Sequence, residues 1–186
     1  MKSIARLLLV IALLCVPGLA ACNRGDGGAN AAPAATAATQ FGGTDLAWIE
    51  INIAMDEELL PLLELVPQHS GSPDVQALAL QVQAFTNAEL TALRALHDQA
   101  GLPKVNPHKG MPMPGMVTPD IVSKAAKTTG KNFDTLVLNA LQDHLDQSED
   151  LANSEDKSGV EPQTRALALQ VIRTRQAALS SMKSTP

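Results

Sequence analysis

An all-α fold, a pseudo-twofold four-helix bundle built from two related hairpins, is what this sequence predicts. Three observations lead there. Apolar residues recur at alternating spacings of three and four, which is the period of one helix face. Caps and prolines punctuate these stripes where helices start and stop. One hexapeptide occurs twice, as Ala77-Leu78-Ala79-Leu80-Gln81-Val82 and as Ala166-Leu167-Ala168-Leu169-Gln170-Val171, 89 positions apart. Nothing alternates apolar and polar residues as a half-buried strand does.

The chain opens on a leader. Met1 to Arg6 is short and basic, and Leu7 to Val16 is an apolar run too short to span a bilayer. Pro17-Gly18 and then Leu19-Ala20-Ala21-Cys22 follow, and this end is similar to a bacterial lipobox. The similarity implies that residues 1–21 are a lipoprotein signal peptide and that Cys22 carries the lipid. The added acyl chains, palmitate among them, would anchor the protein on the extracytoplasmic side of a bacterial membrane. Residues 22–43 are mostly Ala, Gly, Thr, Asn and Pro. With so little large apolar surface, they read as a flexible tether.

The folded domain is expected over 44–183, with hairpins at 44–100 and 132–183 and a crossover at 101–131. Thr44-Asp45 opens the first helix, whose stripe is Trp48, Asn52, Met55, Leu59, Leu62 and Val66. Pro61 is a candidate kink in it, and Pro67 helps to end it. Ser72-Pro73-Asp74 starts the second helix with an N-cap and an N1 proline. Its stripe is Val75, Leu78, Val82, Phe85, Glu89, Leu93 and Leu96, and Gly101 with Pro103 stops it. Thr118-Pro119-Asp120 caps a short helix expected to end near Gly130. Two long helices follow, over 132–156 and 162–183. The offset of 89 also maps Asp45 onto Asp134, Leu62 onto Leu151, Pro73 onto Pro162 and Leu90 onto Leu179. Two hairpins that cannot bury a face alone should pack on each other.

Composition narrows the function. The 186 residues hold 14 basic and 19 acidic side chains, for a net charge of −5, with only 2% aromatics. Neither a basic footprint nor a stacking platform for bases is available, so no nucleic-acid partner is expected. The membrane, reached through the lipid, is the one expected partner, and no protein partner can be named. The only cysteines are Cys15 and Cys22, which leaves the folded domain without disulfides or thiolate ligands. No Ser-His-Asp or Cys-His set and no Glu-x-x-His pair is recognisable, so the protein is expected not to be an enzyme.

Two groups of residues could hold a metal. His144 lies on the inward stripe Val137, Leu141, His144, Ser148, Leu151; Met55 is its counterpart by the offset, and Glu89 lies inward on its own helix. Imidazole, thioether and carboxylate together could hold Cu(I), Cu(II) or Zn(II). The plainer reading is a buried His144–Glu89 pair with Met55 as core filler. In the crossover, His108, Met111, Met113 and Met116 are soft ligands suited to Cu(I), or methionines packed over the end of the bundle. His69 and His97, at helix ends, are expected to face solvent, and Asp143, Asp146, Glu149 and Asp150 to form a solvated face.

These elements resemble the bacterial domain of unknown function 305 family, whose members are ferritin-like four-helix bundles and often exported. The resemblance rests on Phe133-Asp134-Thr135-Leu136-Val137-Leu138, on Glu161-Pro162-Gln163-Thr164-Arg165-Ala166-Leu167-Ala168, and on Met113-Pro114-Gly115-Met116-Val117-Thr118-Pro119-Asp120. The family's His-His pairs are replaced by His144-Leu145 and Met55-Asp56. Its terminal Glu-Ile-x-x-Met survives in part as Glu89-Leu90, with Leu93 for the methionine, and as Ala178-Leu179 with Met182 retained. The resemblance implies copper handling through imidazole and thioether ligands. Two functions stand: a cell-envelope lipoprotein that buffers or carries copper or another transition metal, and a structural or interaction lipoprotein with an eroded metal site.

Overall fold

The computed structural model describes residues 40–183, so the leader, Cys22 and most of the tether lie outside it. Five helices make up the described chain: α1 (Gly43–His69), α2 (Pro73–Ala100), α3 (Pro119–Ala125), α4 (Gly130–Ser158) and α5 (Pro162–Met182). No strand occurs among the described residues.

Local chemistry sets the helix ends. At the start of α1 the Gly42 N–H donates to Asp45 Oδ2 at 2.6 Å. Pro67 does not end this helix, contrary to the sequence expectation. It falls in the last turn, and the helix closes at His69, with the Ser70 N–H on the Val66 carbonyl at 2.9 Å. Pro61 likewise lies within α1. Each proline removes one intrahelical donor, but Leu59, Leu62, Leu63 and Val66 around them are buried and hold the helix by packing. In α2, Ser72 Oγ accepts the Val75 N–H at 3.4 Å, and Gly101 in the left-handed region (φ 66°) closes the far end. The short α3 stops at Ala125, five residues before the expected end. Its last carbonyls are taken by a turn, and α4 then begins at Gly130, where φ is 59°. Glu161 caps α5 by accepting the Thr164 N–H at 2.6 Å.

Each hairpin packs on itself, α1 against α2 and α4 against α5. The hairpins meet through α1 on α4 and α2 on α5, and α3 lies against α1 and α4. The order around the bundle is therefore α1-α2-α5-α4, a four-helix arrangement. Helix limits respect the 89-residue offset at two places: α2 and α5 both begin at the matched prolines, and α1 and α4 end at His69 and Ser158.

Besides a small third cluster around Met55 and Met116, the apolar core has two large layers. One holds Leu62, Leu78, Val82, Phe133, Val137 and Leu141. The other holds Trp48, Ile49, Leu90, Leu93, Leu167, Ala168 and Val171. Between these layers every long helix contributes a buried polar residue: Asp56 on α1, Thr86 and Glu89 on α2, His144 and Ser148 on α4, Arg175 on α5.

Leu78 and Leu167 are 4% and 8% exposed. Truncating either to alanine should destabilise the domain by about 2–5 kcal/mol in urea unfolding. A loss well below about 1 kcal/mol would show that the side chain is not part of the core.

Candidate functional site

Arg175 organises the polar layer. It lies on the inward stripe of α5 with Ala168, Val171 and Ala178 and is fully buried. Its Nε donates to Ser148 Oγ at 2.9 Å, and one terminal nitrogen is 2.9 Å from Glu89 Oε2 and 3.6 Å from Asp56 Oδ1. The guanidinium carbon sits 4.7 Å over the Phe85 ring centroid. His144 Nε2 is 3.8 Å from Asp56 Oδ1, beyond hydrogen-bond range. The expected His144–Glu89 pair is therefore replaced by Arg175–Glu89, with His144 facing Asp56. A guanidinium stays charged even when buried, so it takes the carboxylate that can reach it best.

Burial then sets the protonation states. Asp56 is pushed well above the usual carboxylate range by burial and by the nearby Glu89, against the pull of Arg175. Glu89 is also raised by burial, while the charge of the adjacent Arg175 guanidinium lowers it. His144 is lowered to about 3, first by burial and then by Arg175. The Gly115 backbone acts in the opposite sense without meeting hydrogen-bond geometry, and neither ring nitrogen has a protein partner. At neutral pH His144 is thus neutral, Arg175 favours the ionised form of Glu89, and Asp56 is the carboxyl of the layer that burial drives furthest toward its protonated form.

The methionines gather elsewhere. Met55 and Met116 are buried in one cluster with Ala54, and Met113 packs on it. The crossover reaches this place through Gly115, whose φ of 72° suits glycine. A Cβ there would stand 2.5 Å from Gln147 Cβ and 2.8 Å from the Asp143 carbonyl, so only glycine lets the crossover lie this close to α4. Met55 from the core group and Met113 and Met116 from the crossover group, two separate sets of candidates in the sequence, form one cluster. Met111 is 44% exposed and outside the cluster. His108 is half-buried in a turn, its N–H on Asn106 Oδ1 at 2.9 Å. Met182 packs on the other apolar layer, with Phe133 and Ala178.

His69 and His97 depart from expectation as well. His69 is half-buried, its Nδ1 2.7 Å from the Thr128 carbonyl and its ring 5.2 Å from that of Phe133. His97 Nε2 is 3.1 Å from the Pro103 carbonyl. Both tie helix ends to the crossover, where loop carbonyls need donors. Asp143, Asp146 and Asp150 are exposed and Glu149 is half-exposed, as a solvated face requires. Among the described residues no group of three His, Cys, Asp or Glu is placed to hold a metal. No helix there is long and apolar enough to cross a membrane.

Asp56 and Arg175 were not singled out from sequence. Stripe spacing would have found both, because Asn52, Asp56 and Leu59 follow the same four-three step as Val171, Arg175 and Ala178.

Five helices with this polar layer can now be set beside known proteins. The pattern of the family called Domain of unknown function (DUF305) matches residues 45–185, and the chain belongs to that family. A DUF305 protein from Streptomyces coelicolor, described as a candidate secreted protein, has a similar structure at 18% identity with a TM-score of 0.67. The match covers 75% of this chain and 89% of that one. A DUF305 fragment from Deinococcus radiodurans gives a TM-score of 0.70 at 16% identity, over 77% of this chain and 95% of the fragment. At such identities the likeness establishes the fold. No curated protein matches the chain.

Two outcomes follow from the polar layer. Arg175→Met should destabilise the domain by about 3–5 kcal/mol, because it strands Glu89 in the core. Combined with Glu89→Leu it should cost less than the sum of the single changes, and strict additivity in chemical denaturation would contradict the pairing. His144 should stay neutral down to about pH 3 in the folded protein, whereas the unfolded chain takes up the proton near 6.5. This group's contribution to stability is therefore lost as pH falls below about 6.5. An imidazole NMR signal that titrates between pH 5 and 7 in the folded state would contradict this.

Proposed function

We propose that this protein is a cell-envelope lipoprotein, anchored through Cys22, that binds copper as Cu(I) at the methionine cluster and buffers or carries it. The observation that supports this most is the meeting of Met55, Met113 and Met116 in one cluster, with Met55 next in sequence to the Asp56 that His144 faces. Thioether sulfur and neutral imidazole are ligands for soft, monovalent copper. The carboxylates of the polar layer fit a metal poorly, because the Arg175 guanidinium already provides the cation they need. Export is supported by the leader pattern and by the description of the Streptomyces coelicolor relative as a candidate secreted protein. The reading requires no catalysed reaction.

The alternative, a structural or interaction lipoprotein without metal, is favoured by one observation. The polar layer contains its own counter-charge, so the bundle needs no ion there to fold.

Cu(I) titration against a modest chelator separates the two. The wild-type chain should retain about one ion, and Met55→Leu with Met113→Leu and Met116→Leu should abolish retention. Each such swap keeps its volume and should cost under about 1.5 kcal/mol. Met111→Leu should change nothing. Loss of copper from the wild type to the chelator would leave the metal-free alternative.

A further inference from the structure

A second buried acidic group lies at the end of the bundle where the chain enters α1. Asp45, Glu155 and Glu161 are all at most 1% exposed. Asp45 is held in place by backbone donors. Its Oδ2 accepts the Gly42 N–H at 2.6 Å, and its Oδ1 accepts those of Val160 at 3.0 Å and Glu161 at 3.1 Å. One side chain on α1 thus ties its own helix start to the α4–α5 turn. Glu161 is occupied separately, its Oε2 taking both the amide and the hydroxyl of Thr164.

Glu155 differs from both. It is completely buried, and neither carboxylate oxygen meets a donor. Its carboxyl lies over the end of α4 in space left by Gly159, where a Cβ would collide with it. Facing it are Asp45 from α1, Glu161 at the cap of α5, and Arg165 on α5. Arg165 is mostly engaged elsewhere, with the Asp156 carbonyl at 3.1 Å and its carboxylate at 3.5 Å. Two carboxylates side by side contain no donor, and a single proton supplies one.

We propose that Asp45 and Glu155 share one proton, which clasps the first turn of α1 to the end of α4, so that losing the proton loosens the bundle where the N-terminal segment joins it. The electrostatics agree with this geometry. Glu155 is pushed up to about 8 by burial, then by the neighbouring Asp45 carboxyl, through the proton the two would share and through its charge, with Arg165 opposing. Burial alone would raise Asp45, but the neighbouring Glu155 carboxyl, as the one that holds the proton, and the three backbone donors outweigh it and hold Asp45 below its usual value. Proton loss therefore places two negative charges together at this end of the core. Because the folded state holds the proton more tightly than the unfolded one, the clasp's stabilisation is complete below pH 4.5. It is lost as pH rises toward about 8.

The chain carries its own reporter. Trp48, its one tryptophan, is buried one turn beyond Asp45. With Glu155 it lines a groove of about 380 Å³ between α1 and α4. In the full chain, Trp48 emission and hydrogen exchange at residues 43–48 and 159–161, corrected for the intrinsic pH dependence of exchange, should change together between pH 6 and 9.5, with a midpoint near 8. Glu155→Gln supplies a donor that cannot titrate, so its response should be flat and closed. A flat wild type, or an unchanged transition in Glu155→Gln, would overturn the proposal. Should that variant fail to fold by circular dichroism, Asp45→Asn should move the wild-type midpoint downward by removing the like charge, and an unmoved midpoint overturns it. Carboxyl NMR of the wild type decides independently of any variant. A Glu155 titration near 8 supports the shared proton, and one near 4.5 refutes it.

Discussion

The fold depends on one constraint, the burial of a guanidinium. Arg175 cannot shed its charge, and taking such a group out of water costs several kcal/mol unless partners converge on it. They come from two other long helices: Glu89 and the Phe85 face from α2, and Ser148 from α4. Asp56, on α1, completes the ring. Because every long helix is engaged in this layer, its position along each helix is fixed. Sliding one helix by a turn would leave a charge without a partner in a dry core. The two apolar layers supply the driving force, and the polar layer between them selects the register.

Two chemistries are kept apart within the same bundle. In the polar layer Arg175 offsets the charge of Glu89, burial pushes Asp56 toward its protonated form, and His144 stays uncharged. The methionines lie to one side, where the crossover passes close to α4 at Gly115 and packs Met116 with Met55 of α1. A hard divalent ion would have to compete with the guanidinium for the carboxylates. A soft monovalent ion would compete with nothing at the thioethers. This separation underlies the choice of copper over a harder ion in the proposed function, and it follows from where one arginine sits.

The architecture was legible in the sequence because it is written in periodicity and caps. Val75 to Leu96 gave the buried face of α2, with only Phe85 left half-exposed, and Pro73 and Pro162 marked the helix starts. Ends were less legible. Pro67 signals a stop, yet the packing of Leu63 and Val66 carries α1 two residues further. The site was legible only in part. His144 and Glu89 stand out in the sequence because they interrupt apolar stripes with polar residues, and Met55 because the offset of 89 pairs it with His144. Arg175 interrupts one too, but a lone arginine on a surface-rich helix suggests solvent, and its buried partners are distant in sequence. The merging of Met55 with Met113 and Met116 depends on how the crossover folds back. No periodicity encodes that path.

X-ray absorption at the copper edge, measured on the Cu(I)-loaded chain, tests this division most directly. The account predicts a first shell dominated by sulfur and sensitive to Met113 and Met116, with the Arg175–Glu89 pair unchanged in the loaded protein. A shell of oxygen and nitrogen alone, or displacement of Arg175 from Glu89 on loading, would contradict it.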